Sequence, residues 1–157
     1  MTASARRRPA AVRALTVLLA LQGLCGLAGG AALVAGPHGE IMHMPVSYLQ
    51  GSPFSDYLIP GLLLGLVLGA LPLITFVGML RGRAWAWFAS FTVGCGLIIF
   101  ELVEVSIIGY NVLQPVFGTV GVLITLITLL PSVRRYFGVR PSVRGGAGLE
   151  AADEDSA

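Results

Sequence analysis

Four long apolar runs, each bounded by polar or turn-forming residues, divide this chain at roughly positions 14–35, 57–80, 84–109 and 112–130. A hydrocarbon core about 30 Å thick needs about 20 helical residues rising about 1.5 Å each. Every run meets that length, and a helix satisfies its own backbone groups in lipid. No segment alternates polar and apolar residues over the length of a barrel strand, which excludes a transmembrane β-barrel. The pattern predicts an all-α polytopic membrane protein with four transmembrane helices. It divides the chain into a basic arm at 1–13, a four-helix domain at 14–131 with an outer loop at 36–56, and a tail at 132–157.

Charge orients these spans. Of 157 residues, 55% are hydrophobic and only 11% are charged, against about 25% in an average soluble domain. All ten basic residues are arginines. Arg6, Arg7, Arg8 and Arg13 precede the first run, Arg81 and Arg83 separate the second from the third, and Arg134, Arg135, Arg140 and Arg144 follow the fourth. The connections at 36–56 and 109–112 carry no Lys or Arg. That asymmetry predicts both termini inside, in the plasma (inner) membrane. The bilayer is thus the first partner. Its headgroups account for the arginines of the arm without any nucleic acid. A first run of about 22 residues exceeds a signal h-region of about 7–15, so it is expected to remain as a helix. Beyond Gly138 the chain is rich in Gly, Pro and Ala and ends with Glu150, Asp153, Glu154 and Asp155, a composition that predicts disorder. Heavy use of Ala, Gly and Arg without Lys suggests a GC-rich bacterial genome.

Glycines and prolines mark how the spans pack. Gly23, Gly26, Gly29 and Gly30 bare one face of the first helix, and Gly61, Gly65 and Gly69 stand four apart on the second. Small-residue ridges let helices approach closely in lipid, within one chain or in a homo-oligomer; packing inside the bundle is the simpler expectation. Pro72 lies deep in the second span, where it should bend the helix or leave the Leu68 carbonyl without its usual donor. Trp85, Trp87, Phe88, Tyr136 and Phe137 near the arginines, and Tyr48, Phe54, Tyr57, Tyr110 and Phe117 on the other side, read as two interfacial belts.

Two constellations could carry chemistry. Glu101 and Glu104 lie in the third span, Glu101 about 21 Å along the helix from Trp87. Their i, i+3 spacing places both carboxyls on one face. A carboxylate turned to lipid there would cost about 2.5 kcal/mol or more, so the face should point into the bundle or a wet cavity. No arginine lies at that depth; the available partners are Tyr110, Asn111, Gln114, Ser106 and the loop histidines. Two such carboxyls close together should hold at least one proton near neutral pH. They are candidates for proton or cation handling, or for nothing more than an interhelical hydrogen bond.

The second constellation is the loop sequence PHGEIMHMP at 37–45. His38 and His43 with Met42 and Met44 are weak candidates for a copper site. The simpler reading folds Ile41, Met42, Met44 and Val46 into the interface. At the start of the second helix, Ser52 or Ser55 is expected to cap and Asp56 to favour the positive end of the dipole. No phosphate loop, Ser/His/Asp set, CxxC or haem motif is present, so neither an enzyme nor a cofactor is expected.

The segments SPFSDYLIPG at 52–61 and EVSIIGY at 104–110, the latter followed by Gln114-Pro115, resemble a group of small uncharacterised bacterial four-helix membrane proteins. The resemblance covers about half of the chain and implies the four-helix fold. It also implies that Asp56, Tyr57, Glu104, Tyr110 and Gln114 gather on one outer surface; no activity comes with it. The expectation from the chain as a whole is a non-enzymatic accessory or interaction subunit. The alternative is a component of a proton- or solute-linked transporter using Glu101 and Glu104.

Overall fold

The computed structural model describes residues 8–108 and 113–139, and within them the chain is all helical apart from turns and loops. Helix α1 spans Ala10–Ala35. A loop containing the short 3-10 turn Val46–Leu49 follows. Helix α2 runs Leu58–Leu80, α3 spans Trp85–Ile108, α4 spans Leu113–Leu129 and the short α5 spans Pro131–Tyr136. Three of these, α1, α2 and α3, are long and apolar enough to cross a membrane; α4 is apolar and shorter.

The exterior suits hydrocarbon. Leu24, Leu66, Ile74, Ile99 and Leu126 all point outward, and Phe88 and Leu102 are each 66% exposed. Apolar surface on this scale is foreign to a water-soluble monomer. The buried faces, by contrast, mix glycine and small hydroxyl residues with Val, Leu, Ile and Met.

The helices pair as two tight hairpins. In the first, α1 packs along the whole of α2. A side chain on Gly30 would put its Cβ 2.6 Å from the Cα of Gly65, and one on Gly69 would reach within 2.7 Å of the Leu27 nitrogen. The glycine ridges therefore face each other within one chain. In the second, α3 lies against α4, with a Cβ on Gly94 falling 2.9 Å from the Thr125 nitrogen.

The hairpins join chiefly at the end that carries the arginines. There Val12, Leu15 and Leu19 of α1, Met79 of α2, Ala86 and Val93 of α3, and Ile124 of α4 share one core with Val133 and Phe137. The folded unit thus begins a turn before position 14 and runs beyond 131, because Pro9 rather than Arg13 precedes the helix and α5 turns back onto α1 and α4. Aromatic residues at this end divide their work. Phe137 enters the core, and Trp87 donates its indole N–H to the Thr128 carbonyl at 2.9 Å, whereas Trp85 and Phe88 stay outside. Only part of the expected belt therefore faces outward.

Pro72 acts as its chemistry dictates. A proline removes one N–H and crowds the carbonyl four residues back. The helix responds with a π-helical stretch, Leu64–Ala70, in which the Leu71 N–H reaches the Leu66 carbonyl. Mid-helix π turns absorb a local mismatch and commonly accompany functional positions.

Candidate functional site

The buried stripe of α3 runs Ala86, Ser90, Val93, Leu97 and Glu101, three or four residues apart, with Glu104 continuing it half-buried. Both glutamates thus lie on the inward face, Glu101 with only 7% of its surface exposed. Opposite stands Gln114 at the start of α4, also buried and engaged in an interaction of its own. Tyr110 and Asn111 lie outside the described residues.

Between α3 and α4 a groove of about 270 Å³ runs from Glu101 and Gln114 past Gly118, walled by Leu102, Val105 and Val122. Leu102 and Val122 face outward and no residue of α1 or α2 lines the groove, so it opens sideways. Gly118 keeps it open, since nothing lies within 4 Å of where its side chain would be. At the groove's floor the Glu101 Oε2 atom is buried without a hydrogen-bond partner. Among the described residues, only Gln22 and Arg134 share that condition. The other buried hydroxyls are satisfied locally: Thr16, Thr75, Ser90 and Thr128 each donate to the carbonyl four residues back.

Gln22 is the residue that sequence reasoning overlooked. It lies on the glycine face of α1, and its amide donates to the Leu68 carbonyl at 3.4 Å. That carbonyl is the one that Pro72 deprives of a backbone donor. The Gln22 Oε1 atom remains buried and unpaired. A polar residue in phase with Gly26 and Gly30 was the available signal.

The loop end is built around Tyr57. It is 2% exposed, packs with Leu33 and Leu49, and donates its hydroxyl to the Pro45 carbonyl at 3.0 Å. Burial and the neighbouring Tyr48 raise its pKa above 10.0. Tyr57 therefore anchors the loop from inside and does not line an outer surface. Asp56 accepts the Leu58 N–H at 3.0 Å. The serine caps are not formed: Tyr57 occupies the N-cap position, and Ser52 donates to Leu49 and accepts from Phe54 within its own turn. Met44 and Val46 pack on the Tyr57 cluster, whereas Ile41 and Met42 stay exposed.

His38 stands 3.5 Å from Glu40, both well exposed, and its backbone N–H donates to the same carboxylate. His43 adopts a left-handed φ of 52° and completes no cluster; among the described residues no three His, Cys, Asp or Glu side chains gather as metal ligands.

Fold and site together define a helical membrane protein with a buried carboxyl at a lateral groove. Comparison with known protein families, with curated proteins and with solved structures finds no match.

Proposed function

We propose that this chain is a non-enzymatic accessory or interaction subunit of the plasma membrane, crossing it four times with both termini inside. The arginines support the orientation, because positive charge is retained on the cytoplasmic side. With 17 residues, α4 falls at the short end of the range of about 17–25 that can span.

The observation that carries the interaction reading is the Glu101 oxygen without a partner on the floor of a sideways-opening groove. A buried polar atom left unpaired is costly in a low dielectric. A neighbouring transmembrane helix bearing a basic or amide side chain, seated on α3 and α4, would satisfy it. A second copy of this chain brings no cation to that depth, and its Gln22 amide is buried against its own Leu68 carbonyl, which favours a different protein.

A photo-crosslinking residue placed at Leu102 or Val122 tests this in native membranes, with Leu66 on the other hairpin as control. The expected result is an adduct from the groove positions alone, weakened by Glu101→Leu and retained in Glu101→Gln. An adduct of twice the chain mass would identify a homo-oligomer instead. Equal adducts from Leu66, or indifference to Glu101→Leu, would overturn the reading.

The transporter alternative draws support from Glu104, which extends the same inward face one turn beyond Glu101. It predicts that Glu101→Gln abolishes a pH-dependent flux into vesicles while the protein stays folded; unchanged flux removes it.

A further inference from the structure

Where α2 gives way to α3, the chain builds a second groove that topology alone does not require. Helix α2 ends in a Gly-terminated cap: the Gly82 N–H bonds the Met79 carbonyl and the Arg83 N–H bonds the Gly78 carbonyl, at 3.1 and 3.0 Å. Gly82 takes φ +63°, a value its missing side chain permits. This cap fixes Arg81 and Arg83 on either side of one tight turn. Gly78 has a further role, because a Cβ there would fall 2.6 Å from the Trp85 ring. The indole therefore lies directly on the α2 backbone while remaining 49% exposed.

The resulting groove measures about 480 Å³, within the range of about 300–1,000 Å³ typical of small-molecule sites. Its walls are of two kinds. Leu73, Ile74 and Val77 supply an apolar strip down the flank of α2, and Arg81 and Arg83 supply the charge at its mouth. No acidic residue occurs between Asp56 and Glu101 in the sequence, and among the described residues neither guanidinium has an ion-pair partner. Apolar strip, aromatic edge and two cations unpaired among the described residues follow one another as tail, interface and headgroup do in a phospholipid.

We propose that this groove binds one anionic phospholipid, its phosphate held by Arg81 and Arg83 and one acyl chain lying along Leu73, Ile74 and Val77 beside Trp85. The proposal rests on the membrane-spanning reading, and basic pockets between helices at the membrane surface suit such headgroups.

Quenching of tryptophan by brominated acyl chains tests it on the full-length protein. The protein is reconstituted into vesicles of brominated phosphatidylglycerol or brominated phosphatidylcholine, and the signal of Trp85→Phe is subtracted to isolate the one indole. Phosphatidylglycerol should quench at a lower mole fraction, by about fivefold for each guanidinium engaged at low salt. Arg81→Gln with Arg83→Gln should merge the two curves, and Arg81→Lys with Arg83→Lys should keep them apart. Identical curves for the wild-type protein overturn the site while leaving the membrane reading intact. Absence of quenching by either lipid overturns both. Reversal of the preference by millimolar inorganic phosphate would make this a free-phosphate site and overturn the lipid assignment.

Discussion

Tyr57 shows how much one side chain can be asked to hold. Its ring fills the space between Leu33 of α1 and Leu49 of the loop, and its hydroxyl ties down the Pro45 carbonyl. Only the neutral phenol can donate that bond. Because burial raises its folded-state pKa above the ordinary 10.0, its contribution is complete below about pH 10, where an unfolded tyrosine stays protonated. It is lost as pH climbs through the raised folded value. An absorbance titration should therefore contain a late tyrosine step, above the ordinary 10.0. Tyr57→Phe should delete that late step and lower stability by about 1 kcal/mol. A last step that survives Tyr57→Phe would refute the buried anchor. The aromatic character of position 57 was readable from the chain; its inward direction was not, because a tyrosine beside a span reads equally well as an interfacial anchor.

At the scale of elements, the pairing of Gln22 with Leu68 explains how α2 keeps a proline in mid-span. The apolar runs read at 57–80 and 84–109 match Leu58–Leu80 and Trp85–Ile108 closely, because length and apolarity alone decide where lipid-facing helices lie. The glycine ridges were legible for a similar reason, since bare backbone has few uses other than close approach. Pro72 announced a disturbed carbonyl at Leu68, but its donor comes from 46 positions earlier in the chain. Only the register of α1 on α2 could identify it. The carboxyls at Glu101 and Glu104 were legible as one face, yet the groove beside them depends on Gly118 and Val122 of another helix. A double-mutant cycle tests the Gln22 assignment. Gln22→Leu should cost about 0.6 kcal/mol and at most about 1.7 in detergent unfolding, the average and the maximum for interhelical hydrogen bonds in membranes. The loss should shrink once Pro72→Ala returns a backbone N–H to that position. Strict additivity of the two substitutions would separate Gln22 from the proline.

For the whole molecule, the decisive feature is that the two hairpins are fastened chiefly at one end. The π-helical half of α2 packs on α1, and the later segment, Leu71–Leu80, reaches α3. The shared core sits beside the arginines, and two of its members, Val133 and Phe137, come from α5 and the turn after it. Pro131 makes this possible: it disfavours helical geometry at Leu130, so α4 stops at Leu129 and the chain bends back. Tyr136 and Phe137 then meet edge to face, 4.9 Å apart. Because α5 touches both α1 and α4, it should act as the clasp between hairpins rather than as the beginning of a tail. A chain ended after Val139 keeps α5 and serves as the reference. One ended after Leu130 should lose about 3 kcal/mol or more, as expected when a buried phenylalanine is removed. Trp87 would report the same event, since it packs partly buried against the core that the hairpins share and its emission should shift to the red as that core opens. Equal stability of the two truncations would mean that the hairpins meet without the clasp, through Val12, Leu15, Leu19, Met79, Ala86, Val93 and Ile124 of the shared core.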